Sequence, residues 1–172
     1  CYGDLPRWGV RFDRSNGLPR VLLLGERPPR RALEQGERLS LAGADPGTRF
    51  LRELLETAGF AEDDVILGAA RLCRATAVDL ERVVPTAVCI RECAVHVREL
   101  VRLAAPRLLV ALGAEAVRSL KAAFPESDAI GGLRFPASIG TTVDAGGTWV
   151  RVAYQTTARA RGTRPVAAQR ED

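Results

Sequence analysis

The sequence predicts an α/β fold, a three-layer α/β/α sandwich around a central, mostly parallel four-stranded sheet. Three observations lead there. Short apolar runs stop at glycine or at polar residues, amphipathic helical segments alternate with those runs, and 47% of the 172 residues are apolar, enough to cover a sheet on both sides. At this length a single domain is expected, spanning residues 1–157, with a basic tail over residues 158–172.

The run Arg20-Val21-Leu22-Leu23-Leu24-Gly25 is apolar throughout, as a strand buried on both faces should be. Thr48 then reads as an N-cap, followed by Phe50, Leu51, Leu54, Leu55 and Ala58 at helical spacing and by Gly59 as terminator. A second strand is expected over Asp64 to Ala69, a helix over Thr86 to Ala104, a third strand over Pro106 to Leu112 and a helix over Ala114 to Ala123. Thr148 to Tyr154, alternating around Trp149, supplies the fourth strand. Strand–helix alternation implies parallel pairing with right-handed crossovers. In such a sheet the ligand crevice lies beyond the carboxyl ends of the strands, so the loops after Leu24, Leu67, Leu112 and Tyr154 are where chemistry is expected.

The formal charge is +4, and Lys121 is the only lysine beside 24 arginines. Arginine favours bidentate contacts to phosphate, which suits a nucleic-acid partner, but a genome rich in G and C produces the same bias. Charge alone therefore decides nothing. No stretch approaches the roughly 20 apolar residues of a membrane span and none resembles a secretory signal, so a cytoplasmic protein without a membrane partner is expected. The chain has no methionine and begins at Cys1, so residues upstream are expected. Cys1, Cys73, Cys89 and Cys93 are too few and too uneven for a secreted disulfide scaffold; metal or cluster ligation competes with ordinary burial.

Four segments together resemble the family 4 uracil-DNA glycosylases, the iron-sulfur branch of the uracil-DNA glycosylase superfamily. They are VLLLGERPP (Val21 to Pro29), DDVILGAARLCR (Asp63 to Arg74), the stretch from Cys93 through APRLLVALG to Gly113, and WVRVAYQTTARARG (Trp149 to Gly162). The resemblance implies that Cys1, Cys73 and Cys93 are ligands of a [4Fe-4S] cluster. The remaining ligand is either a cysteine upstream of Cys1 or Cys89. Such a cluster needs thiolates drawn from separate loops and would staple them together. Zinc, or plain buried thiols one helical turn apart at Cys89 and Cys93, are the competing uses.

The resemblance also assigns roles around a flipped-out nucleotide. Glu26 matches the glutamate of the first motif and is the main catalytic candidate, orienting water and offsetting positive charge on the sugar. A strand-end acid pairing with Arg27 is its bland alternative. Gly25, Arg27 and Pro28 would line the base pocket with Gly68 and Ala69. Leu41 stands as an apolar floor in a stretch lacking the family's stacking phenylalanine, and Asp45 is a second acid near the mouth. Ala69 occupies the position of the uracil-reading asparagine, four residues before Cys73. A methyl group cannot pair with a base edge, so uracil is not the expected substrate. Gln155 stands where the family has a histidine that stabilises the departing oxygen, and Arg159 and Arg161 follow in place of the wedge loop. His96, the only histidine, lies inside the Cys93 helix, where a packed or surface role is expected.

These features imply a monofunctional, monomeric DNA glycosylase acting on a bulky or modified base, such as a hypermodified phage cytosine. A DNA-binding module that lost catalysis and a generic nucleotide-binding α/β domain are the alternatives.

Overall fold

Strand β1 (Val21–Gly25) runs through the middle of the sheet and packs on both faces. Leu22 and Leu24 point into one core; Val21 and Leu23 point into the other. This two-residue alternation is what makes a strand with no polar side chain stable only when both faces are covered. The computed structural model describes residues 20–27, 41, 43, 46–72, 86–157 and 167.

Helix α1 (Pro46–Thr57) begins two residues before the expected cap. Thr48 therefore lies inside the first turn and does not cap it; Pro46 opens the helix, a position where a missing N–H removes no intrahelical bond. At the other end the Phe60 N–H reaches the Leu55 carbonyl at 2.9 Å and the Gly59 N–H reaches that of Glu56 at 3.0 Å, with Gly59 at φ 78°. This is the left-handed stop that the sequence predicts. A 3-10 turn (Glu62–Asp64) leads into β2 (Val65–Ala69).

The long helix α2 (Thr86–Ala104) leads to β3 (Leu108–Leu112), then α3 (Ala114–Ala123), a short α4 (Asp128–Gly132), β4 (Thr142–Asp144) and β5 (Trp149–Ala153). Among the described residues the sheet has five strands in the order β2-β1-β3-β5-β4, one more than expected. Four are parallel and β4 pairs antiparallel with β5. The extra strand is three residues long and its outer positions, Thr142 and Asp144, are exposed, so no apolar alternation marks it in the sequence.

Helices α2 and α3 cover one face, where Val97, Leu100, Val117 and Leu120 meet Leu22, Leu24, Leu109, Val150 and Val152. Helix α1 covers the other, through Leu51 and Leu55 against Val21 and Leu23. The result is the expected three-layer arrangement. Among the described residues no helix is long and apolar enough to cross a membrane.

Candidate active site

The order of the strands fixes where a crevice can form. From β1 the chain crosses to β2 on one side, whereas from β3 it crosses to β5 on the other. The connections thus diverge between the carboxyl ends of β1 and β3, and that divergence opens the sheet's edge to a ligand. Glu26 follows β1 directly and Gly113 follows β3 directly.

Gly113 has φ 90°, a conformation that L side chains rarely adopt. Its N–H is held by the Ala153 carbonyl at 2.9 Å, and it opens α3. A Cβ placed on it would lie 2.9 Å from Gln155 Cγ, 3.1 Å from Gln155 Nε2 and 3.1 Å from Glu26 Oε1. The carboxylate and the carboxamide therefore converge from two strand ends on the bare face of one glycine. Both side chains belong to partly exposed residues, so solvent reaches this point. No hydrogen bond or ion pair within the described residues engages the Glu26 carboxylate or the Gln155 carboxamide, which leaves both polar ends available to a third group.

The loop after β2 is laced to the same place. Ala70 N–H donates to the Gly25 carbonyl at 2.8 Å and Arg71 N–H to the Glu26 carbonyl at 3.0 Å. The Arg71 guanidinium forms a two-point ion pair with Glu115 in the first turn of α3, Nε to Oε2 at 2.8 Å and the second nitrogen to Oε1 at 3.2 Å. Both side chains are mostly shielded, at 14% and 16% exposure. Beyond β5, the Tyr154 ring meets Phe135 edge-on with centroids 5.4 Å apart, which fixes the backbone just before Gln155.

The other expected pocket residues separate into those at the crevice and those elsewhere. Gly25 is level with Ala69 across the β1–β2 pairing. Ala69 is 2% exposed and brings only a methyl group. Arg27 is exposed. The vacant side-chain direction of Gly68 points at Leu100 Cδ2, 2.7 Å from an added Cβ, and at Leu24 and Leu22. It makes room for α2. Leu41 is 3% exposed and clusters with Val21, Leu23 and Leu55 on the α1 face. Pro28, Asp45, Arg159 and Arg161 lie outside the described residues. A cavity of about 220 Å³ does lie on the α1 face, walled by Leu51, Phe60, Val110 and Ala153 among others, but Glu26 does not line it.

Cys89 and Cys93 are buried on α2, Cys93 completely. The Leu72 N–H donates to Cys93 Sγ at 3.5 Å, which places this sulfur against the residue that precedes Cys73 in the chain. A sulfur accepting a backbone N–H is suited to carry thiolate charge, since such hydrogen bonds stabilise ligating sulfurs. Among the described residues no three potential metal ligands come together; Cys1 and Cys73 lie outside them. His96 is exposed on α2, as expected of a surface residue.

Sequence reasoning missed Gly113, Arg71 and Glu115. The ion pair joins residues 44 positions apart and leaves no local signal. Gly113 had one: a glycine between a buried strand and a helix at the carboxyl edge of a parallel sheet.

No curated protein matches the chain. The model of the uracil DNA glycosylase superfamily matches residues 12–166, a span that takes in the whole sheet and both groups converging on Gly113. The chain belongs to the uracil DNA glycosylase superfamily.

Proposed function

We propose that this protein is a DNA glycosylase that hydrolyses the N-glycosidic bond of a flipped-out base other than uracil and leaves an abasic site. A bulky modified base, such as a hypermodified phage cytosine, is the substrate class this reading favours. The observation that carries it is the approach of Glu26 Oε1 and Gln155 Nε2 to the same glycine, in a crevice where Ala69 offers a methyl group at the family's uracil-reading position.

In this mechanism the bond from the sugar C1′ to the base nitrogen breaks, and its electron pair leaves with the base. Positive charge develops on the sugar, where the Glu26 carboxylate offsets it. A water oriented by Glu26 adds to C1′ and gives its proton to that carboxylate. Gln155 donates a hydrogen bond to the departing base without carrying charge, and a proton from solvent neutralises the base once it is free. The glycosylase is monofunctional, because water and not an amine attacks the sugar.

The same reading places the chain in the iron-sulfur, family 4 branch, with Cys1, Cys73, Cys93 and either Cys89 or an upstream cysteine holding a [4Fe-4S] cluster. When bound, the cluster supplies a structural tie between loops and no step of the hydrolysis. Arg159 and Arg161 are proposed to contact the DNA backbone beside the gap left by the flipped nucleotide.

Glu26→Gln tests the reading. Duplexes containing cytosine, uracil, 5-hydroxymethylcytosine or a glycosylated hydroxymethylcytosine are incubated with protein and scored for alkali-labile sites. Cleavage on a modified duplex by the wild type, lost by at least about a hundredfold in Glu26→Gln with DNA binding unchanged, supports it. Absence of abasic sites on every duplex, with DNA still bound, replaces it by a binding module that retains the fold.

A further inference from the structure

Three consecutive residues after β2 are held by two different parts of the molecule, the end of β1 and helix α2. Ala70 N–H is bound by Gly25 and Arg71 N–H by Glu26, while Leu72 N–H is bound by Cys93 Sγ on α2. From the other side, α3 reaches the same residues with two side chains one turn apart on a single face. Glu115 takes the Arg71 guanidinium at both carboxylate oxygens, and Ser119, fully buried in an otherwise apolar helix face, directs its hydroxyl at the Ala70 carbonyl with a long contact of 3.5 Å.

We infer that Glu115 is a positioning residue: by locking Arg71 it fixes the backbone hydrogen bond from Arg71 to Glu26 and so holds the Glu26 carboxylate opposite Gln155. Helix α3 thereby governs both sides of the crevice. Its first turn starts at Gly113, on which the two side chains converge, and its next residues clamp the loop that anchors Glu26. The clamp suits a catalytic carboxylate that follows its strand directly and makes no side-chain bonds within the described residues. Such a carboxylate is aimed only by its backbone, and a shift of the order of an ångström there is enough to lower a rate by about a hundredfold. A neutral partner could not hold a mostly shielded guanidinium at two points in the same way.

This inference rests on the glycosylase reading, and the test separates the two. Glu115→Gln is compared with wild type in single-turnover and steady-state excision on the modified duplexes above, in DNA affinity, and in amide hydrogen exchange over residues 70–72. The expected result is a fall of about tenfold or more in kcat, DNA affinity and KM within about twofold, and faster exchange at the Arg71 amide. The double variant Arg71→Glu with Glu115→Arg, which restores the pair in reverse, should recover protected exchange and part of the rate. Unchanged exchange at Arg71 in a folded Glu115→Gln protein overturns the clamp, as does faster exchange with an unaltered kcat. If wild type cleaves no duplex, the glycosylase reading falls, and the exchange at Arg71 alone supports or overturns the clamp.

Discussion

The Leu100 side chain sits over Gly68 so closely that a methyl group added to the glycine would stand 2.7 Å from Leu100 Cδ2. Helix α2 therefore meets β2 at the one position of that strand where nothing projects from the sheet. Gly68→Ala is expected to push Leu100 off its packed rotamer and to lower stability by about 1–3 kcal/mol. Thermal unfolding followed by circular dichroism should show a midpoint lower by about 2–4 °C for each kcal/mol, with base release per folded molecule unchanged. A crevice role for Gly68 would instead show as altered activity at unchanged midpoint.

Gly113→Ala should lose activity as well as stability. The new methyl would meet Gln155 and Glu26 at 2.9–3.1 Å, and the backbone at φ 90° would be strained by about 1–3 kcal/mol. Excision is expected to fall by about tenfold or more because both side chains are displaced. Adding Gln155→Gly to Gly113→Ala should relieve the crowding without restoring the rate; crystal structures of the two variants would report the position of Glu26.

Cys93→Ala removes the sulfur that accepts the Leu72 N–H. In the proposed cluster-bearing protein it should abolish the visible iron-sulfur absorption and reduce iron and acid-labile sulfide to background. Cys89→Ala separates the two candidates for the remaining ligand: full iron content in that variant assigns the ligand to a cysteine upstream of Cys1, and loss assigns it to Cys89. Wild-type protein with no iron after anaerobic purification would remove the cluster from the account.

The Glu99–Arg102 pair on α2 should contribute nothing measurable to stability. The hydrogen bond from Arg102 holds the Glu99 carboxyl below its ordinary value and raises the guanidinium's, but both groups are in open solvent. For a carboxyl lowered on folding, any stabilisation is present above its unfolded pKa and fades as pH falls through the folded one. Glu99→Gln is therefore expected to leave the unfolding midpoint unchanged at pH 7 and to leave the acid limb of the stability curve where it is in wild type.

Much of the layout was legible because strands and helices carry different periods. In β1 the continuous apolar run signalled burial on both sides, and Leu22/Leu24 against Val21/Leu23 bears this out. Strand β4 lacked that signal, since two of its three residues face water, and helix α4 is too short for helical periodicity to show. Within the site, Glu26 and Gln155 were reachable through motif resemblance. The direction of Gly68 was reachable too, because Ile66 and Gly68 share the face of β2 that packs with Leu22 and Leu24. Arg71 and Glu115 could not have been paired from sequence, as only the fold brings them together.

The level ends of the parallel strands have a consequence for how such a protein diversifies. Gly25 is paired with Ala69, and Leu112 with Ala153, so Glu26, Gly113 and Gln155 sit past strand ends and outside the apolar clusters. Substitutions along that rim can retune substrate choice with little penalty to folding, while the sheet beneath absorbs none of the change. Evolvability of this kind would let a residue on that rim change while the scaffold beneath it is kept.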